Sequence, residues 1–190
     1  ELFRRFGQPV VSMAAAGSVN DPRDGTNLVV VYGDWTVDVW SSAAVHGRRS
    51  SMAPDWRKLA AVGHCHVIGA AASPRQLGYR QPVLLADRNG TVSMWETFGV
   101  RLSDPLPPDP AHREVIGIAV LPGTGDGVAV VTASRADRNL RVWDPLHGSA
   151  TLVPLSIRPR CLLSAGDALV IGHDDGILAL SLTIRPSEGS

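Results

Sequence analysis

Few residues in this chain of 190 have both the type and the spacing that chemistry needs. His64-Cys65-His66 is the densest group of metal-type ligands. A structural zinc site requires a second ligand pair at defined spacing, and none stands nearby. Alternation along a strand would also send His64 and His66 to one face and Cys65 to the other. Asp87-Arg88-Asn89-Gly90 and His173-Asp174-Asp175-Gly176 begin like calcium loops, but neither continues into the carboxylate pattern of one. Pro122-Gly123-Thr124-Gly125-Asp126-Gly127 carries no Lys and no Gly-Lys-Ser/Thr ending, so it is not a phosphate loop. Ser, His and Asp occur without a nucleophile elbow. Neither a catalytic residue nor a cofactor or metal is expected.

The acidic turns gain meaning from their recurrence. Four segments share one shape: an Asp or Asn, a tight polar turn, then a short strand. They are Asp34-Trp35-Thr36-Val37-Asp38-Val39-Trp40, Asn89-Gly90-Thr91-Val92-Ser93-Met94-Trp95, Asp137-Arg138-Asn139-Leu140-Arg141-Val142-Trp143 and Asp175-Gly176-Ile177-Leu178-Ala179-Leu180-Ser181. Their last residues fall at 40, 95, 143 and 181, so the intervals are 55, 48 and 38. Such a period, near ~40–50 residues, belongs to propeller blades. An apolar run precedes each turn: Leu28 to Tyr32, Pro82 to Leu85, Val128 to Val131 and Ala168 to Ile171. Runs of this kind closed by Gly, Asp or Asn are hairpin signals, continuous where both faces are buried.

Further upstream lies a first strand for each repeat, at 10–16, 66–72, 115–120 and 160–165. Three of the four are rich in Ala and Gly, as suits strands that converge on a central axis. The fold expected is all-β and propeller-like. It comprises about four blades of four antiparallel strands within a single domain, 1–190. The blades run over about 8–55, 63–105, 112–155 and 158–183. Residues 1–6 read as a spare strand. Residues 41–62, with Arg48-Arg49-Ser50-Ser51 and Trp56-Arg57-Lys58-Leu59, read as a charged loop. The Pro-rich stretch Asp104 to Pro110 reads as a stiff crossing with polyproline II character.

These segments resemble the WD-repeat β-propeller family, whose blades run from a Gly-His pair to an Asp turn and a closing Trp. The resemblance covers nearly the whole chain and is strongest over 128–144. It implies structural roles at Asp34, Asn89, Asp137 and Asp175 for the turn carboxylate, and at Trp40, Trp95 and Trp143 for the closing Trp. Ser181 takes the Trp place in the fourth repeat. The blade-start His is matched by His64 and, in part, by His112. In this family the turn Asp hydrogen-bonds that His, which links onward to a Ser/Thr and the Trp. The resemblance of these repeats to known propellers also implies that the spare strand at 1–6 completes the last blade and closes the ring.

Trp35 sits at a turn where the family carries a small or polar residue. Arg88 and Arg138 occupy the same region of the next two repeats. Exposed Trp and Arg dominate binding energetics at interfaces. Trp35, Arg88 and Arg138 therefore form the candidate rim for a protein partner.

Composition narrows the remaining classes. Eighteen basic residues balance 18 acidic ones for a formal net charge of zero. That argues against duplex DNA or an anionic membrane as the main partner, and no apolar run approaches the ~20 residues of a membrane span. Lys58 is the one Lys, the other basic residues being Arg; that skew suggests a GC-rich bacterial genome. Cys65 and Cys161 are expected as buried free thiols. No signal peptide is read, so a cytoplasmic location is the default. The function expected is a non-catalytic protein-interaction or sensing module, the C-terminal part of a larger bacterial signalling or effector protein. Two other readings stay open. One is a ligand-binding or enzymatic propeller using its central channel, which would need titratable inner strands. The other is a half-ring that homodimerises, since rings of this family usually have more than four blades.

Overall fold

Short runs of Val, Leu and Ile dominate the middle of each repeat, and their stiff branched side chains favour extended backbone. The computed structural model describes residues 8–17, 26–34, 36–41, 57–62, 67–72, 83–87, 89–95, 106–122, 128–145, 148–165 and 168–182. Among these there is no helix, and the strands form four antiparallel sheets. The first holds β1 (Val10–Gly17), β2 (Thr26–Tyr32), β3 (Val37–Ser41) and β4 (Arg57–Val62), in that order. The second holds β5 (Val67–Ala72), β6 (Val83–Asp87) and β7 (Val92–Trp95). Next come β8 (Val115–Pro122), β9 (Val128–Ser134), β10 (Asn139–Asp144) and β11 (Ser149–Pro154), then β12 (Pro159–Ala165), β13 (Ala168–His173) and β14 (Gly176–Ser181). Each strand pairs with its neighbour in sequence, so every sheet is a simple up-and-down meander.

The sheets stack face to face in chain order. Val29, Val31 and Val37 of the first meet Val83 and Leu85 of the second. On their other side, Leu84, Ala86, Val92 and Met94 meet Ile118, Val120, Val130 and Trp143 of the third. Ala119, Leu121, Val131 and Leu140 then meet Leu169 and Ile171 of the fourth. Strand periodicity of two makes this possible, because neighbours in sequence serve opposite interfaces. A middle strand between two interfaces is buried throughout, as all seven residues of β9 are, its polar Thr132 and Ser134 being hydrogen-bonded. The last sheet has a neighbour on one side only among the described residues, and β13 alternates accordingly. Inner strands follow the same succession: β1 lies against β5, β5 against β8, and β8 against β12.

Several expectations are corrected in detail. Residues 57–62 are not loop but β4, whose Val62, Ala61 and Ala60 pair with Val37, Asp38 and Val39. An outermost strand needs a partner along one edge only and tolerates charge, so Arg57 and Lys58 hid its strand character. In the second sheet, an isolated bridge between Val92 and Leu106 stands where a fourth strand would begin. The Pro-rich crossing thus supplies one rung, and Leu106 is buried in the core. Cys161 is exposed rather than buried, because it lies on the face of β12 turned away from the third sheet. Cys65 and the segment 1–6 lie outside the described residues.

Register also distinguishes the fourth repeat. His173 pairs with Gly176 across a two-residue turn, so Leu178 faces Ile171 and Leu180 faces Leu169. Both leucines therefore point toward the third sheet, as Trp143 points toward the second. Leu180, not Ser181, takes the place of the closing Trp, since a one-residue slip moves every side chain to the other face. Leu169 is fully buried between the third and fourth sheets. Leu169→Ala is expected to lose about 2–5 kcal/mol by urea unfolding; an unchanged midpoint would contradict this packing.

Candidate functional site at the junction of the second and third sheets

In the first three sheets the turn that joins the second and third strands is built on one local device. An Asp carboxylate accepts from the backbone N–H two residues on, a bond that pre-forms a turn. Asp34 Oδ1 accepts from Thr36 N at 3.1 Å and from Thr36 Oγ1 at 2.7 Å. Asp137 Oδ1 accepts from Asn139 N at 3.1 Å. In the second sheet the same work falls to Asp87, whose Oδ1 accepts from Asn89 N and Thr91 N, both at 2.9 Å. Asn89 itself is exposed at the tip. The next position carries positive φ: Gly90 at 88° and Arg138 at 55°. Trp35 is the corresponding residue of the first turn.

At the third sheet the turn is tied to the chain that enters it. His112, fully buried, places Nδ1 at 3.3 Å from Asp137 Oδ2 and Nε2 at 2.9 Å from Thr132 Oγ1. Asp137 can only accept when ionised, so Nδ1–H donates to it and Nε2 accepts from the Thr132 hydroxyl. Ser134 completes the knot: its hydroxyl donates to Arg113 O and accepts from Ala136 N at 3.1 Å. Trp143 lies on the face of Thr132, one rung along, and is almost wholly buried. The Asp–His–Thr chain implied by the WD-repeat resemblance is thus present in this sheet.

The crossing from the second sheet is pinned at each step. Leu106 and Val92 exchange backbone bonds of 2.8 and 3.2 Å. Arg141, itself buried, donates from Nη1 to Pro107 O at 2.8 Å. Asp109 Oδ1 accepts from Ala111 N at 2.9 Å, and Asp109 O accepts from His112 N at 2.8 Å. Glu114 takes a φ of 53°, and its carbonyl accepts from Arg135 N at 3.2 Å. Gly90 closes the junction from the other side. A Cβ there would stand 2.7 Å from His112 O, so only glycine fits both the conformation and the contact.

Between the two sheets this framework leaves a cleft of about 430 Å³, lined by Asn89, Pro108, Asp109, Pro110, Arg113 and Glu114. Arg113, one of the lining residues, is exposed, as are Arg135 and Arg138 in the adjoining turn between β9 and β10. Among the described residues none of these three guanidinium groups has a carboxylate partner. The electrostatics beneath are different. Burial pushes His112 below its ordinary value, aided by the Arg141 charge, while the Asp137 charge and hydrogen bond and the Asp109 charge push back. Burial likewise lowers Arg141, opposed by Asp109.

Of the sequence-derived positions, the structure joins Asp137, His112 and Trp143 at this junction, with Asn89 and Arg138 at its rim. Trp95 is half-buried against the first interface, its Nε1 donating to Ser93 Oγ at 2.8 Å. Asp175 sits exposed in its tight turn and donates its N–H to His173 Nδ1 at 3.3 Å. Trp35, Arg88 and His64 lie outside the described residues, as does the side chain of Trp40. Sequence reasoning passed over Arg113, Glu114 and Asp109, which sit in the connection rather than in the repeated turn. The Pro spacing around Asp109 was the available signal.

Two tests follow from the buried knot. Asp137→Ala leaves the His112 N–H without its partner and is expected to cost about 1–3 kcal/mol, read as a lower melting temperature. Protonation tests the same bonds. The unfolded chain takes a proton at His112 near 6.5, and the folded chain only below that. This part of the stability is whole above pH 6.5 and is lost as pH falls through the lower folded value. Melting temperature measured from pH 7.5 to 5.5 should fall less steeply in His112→Asn than in the wild type; equal slopes would overturn the assignment.

No protein-family model and no curated protein matches the sequence. Solved structures do. The computationally designed Ika4 protein aligns with 95% of this chain and 95% of its own, at 18% identity and a TM-score of 0.56. The WD40 repeats of RRP9 align with 94% of this chain and 50% of theirs, at 19% identity and a TM-score of 0.64. BBS1N, solved in complex with ARL6DN, aligns with 92% and 49%, at 11% identity and 0.63. The chain therefore spans about half the length of the RRP9 and BBS1N chains. At these identities the likeness concerns the fold, and it makes this chain a β-propeller-like assembly of antiparallel sheets, similar to WD40-repeat propellers.

Proposed function

We propose that this chain is a non-catalytic protein-interaction module that binds its partner on the rim around the cleft between the second and third sheets. The observation that carries this reading is the contrast between a rigid frame and unused charge. The crossing that lines the cleft is held by the bonds of Leu106, Pro107 and Asp109, whereas Arg113 at the cleft and Arg135 and Arg138 in the adjoining turn are exposed with no carboxylate partner among the described residues. Pre-organised surfaces lose little entropy on binding, and Arg is enriched in binding hot spots. A partner segment bearing carboxylates suits three guanidinium groups better than a neutral one, by bidentate pairing. Trp35 and Arg88, rim candidates from the sequence, lie outside the described residues and belong to this proposal on their sequence position alone. The cleft is lined by prolines and charged side chains without a nucleophile beside a base, so recognition fits it better than catalysis. BBS1N, a protein of similar fold, was solved with a protein partner, ARL6DN, which is in keeping with this use. In a bacterial cell the module would serve as the C-terminal, cytoplasmic part of a signalling or effector protein.

The test is charge reversal on exposed positions that leaves the frame intact. A partner captured by the wild-type chain should bind at least about tenfold more weakly to Arg113→Glu/Arg135→Glu, and Trp35→Ala should weaken it as well. The wild-type affinity should also fall with added salt, which screens exposed charge. Unchanged affinity in the Arg double variant, with an unaltered circular dichroism spectrum, would overturn the proposal.

A further inference from the structure

The two ends of the stack differ from its interior in one respect. Each interior face of a sheet is covered by the next sheet, but the outward face of the fourth has no cover among the described residues. Its register is known strand by strand: Cys161 opposes Gly172, which opposes Ile177, and Leu163 opposes Val170, which opposes Ala179. Leu163 is 62% exposed and Ile177 76%. Among the described residues of its three strands this face carries no charged side chain. The third sheet has the same arrangement on the same side, with Ala119 opposite Val131 and Val131 opposite Val142. There the fourth sheet covers it, and Ala119 and Val131 are 2% and 0% exposed. What suits the bare face is therefore another sheet of the same kind.

The first sheet offers the complementary end. Its inner strand shows Val10, Val11 and Met13, at 42%, 48% and 57% exposed. Met13 lies opposite Val30, on the side away from the second sheet. Val30 is itself buried, so the available apolar surface at this end is that of the inner strand. Inner strands are where consecutive sheets meet throughout the chain. Among the described residues, β12 does not pack on β1 as the other three pairs of inner strands pack, so the stack is open.

We infer that two copies of this chain close each other, the bare face of the fourth sheet in one copy seating on the inner strand of the first sheet in the other. A second copy is the occupant because each chain supplies both halves of the junction, the apolar outward face of the fourth sheet and the exposed inner strand of the first. Two identical head-to-tail junctions related by a two-fold axis then complete a ring, the condition under which a heterologous contact closes rather than polymerises. Burial of Leu163, Ile177 and Met13 drives it by removing apolar surface from water. The inference stands apart from the binding rim, which lies between the second and third sheets of each copy.

Light scattering after size exclusion is expected to give twice the 20.2 kDa chain mass. Leu163→Asp and Met13→Asp each place a charge on an already exposed position, so each should remain folded and run as a monomer. Cys161 lies beside Leu163 on the bare face; in a Cys65→Ser background its reaction with a maleimide should slow at least tenfold as the dimer forms. A wild-type chain of monomer mass, or of mass greater than a dimer, overturns the inference. So does a Met13→Asp chain that stays dimeric, since that would mean two fourth sheets meeting each other.

Discussion

An antiparallel sheet with apolar residues on both faces cannot stand alone in water, and every other feature of this chain follows from that constraint. Val29 to Tyr32, Val83 to Ala86 and Val128 to Ser134 are buried on both sides of their strands. The second and third of these runs lie between a sheet before and a sheet after, whereas Val30 and Tyr32 of the first are buried without a preceding sheet among the described residues. Stacking in chain order satisfies the constraint with short connections, because successive sheets are meanders and need no crossover within them. The requirement fails at the ends of the series. The fourth sheet keeps the apolar pattern on its outward face without a neighbour among the described residues to cover it.

Polar chemistry is concentrated where the stack needs to hold an irregular segment. The crossing between the second and third sheets contains four prolines within 105–110, which cannot donate backbone hydrogen bonds and so cannot extend a ladder. Its remaining groups are satisfied from the flanks, by Arg141, by the Asp109 carboxylate and by the chain from Asp137 through His112 to Thr132. A neutral His112 is what this burial demands, because a buried imidazolium would lose its acceptor role toward Thr132 and carry a charge away from water. Around this tight wiring Arg113, Arg135 and Arg138 are exposed, without a carboxylate partner among the described residues.

Much of the fold was legible because its signals are local. A turn Asp or Asn six residues before the strand's last residue, which is Trp in three of the four repeats, and an apolar run before it are readable within one repeat. The inner strands and the hairpins came out as expected for this reason. The misreadings share a cause as well. Arg57 and Lys58 looked like loop because an outer strand carries a weak pattern, and Cys161 looked buried because its strand neighbours are apolar. The fourth repeat was aligned on Asp175 and Ser181, although its two-residue turn shifts the register so that Leu180 meets the third sheet. A letter pattern of period two cannot reveal a slip of one when both faces are apolar.

The sequence by itself determined that this protein is a series of antiparallel hairpins with doubly buried middle strands, since strand propensity, turn chemistry and repeat length act within a few residues of one another. It also marked Asp137 and His112 as a structural pair through the resemblance of their spacing. Only the tertiary structure decided which of the acidic turns reaches a buried histidine, that a cleft opens between Asn89 and Glu114, and which apolar faces remain uncovered. Those outcomes depend on distances between segments far apart in the chain, set by how one sheet packs on the next, and no pattern within a single repeat encodes them.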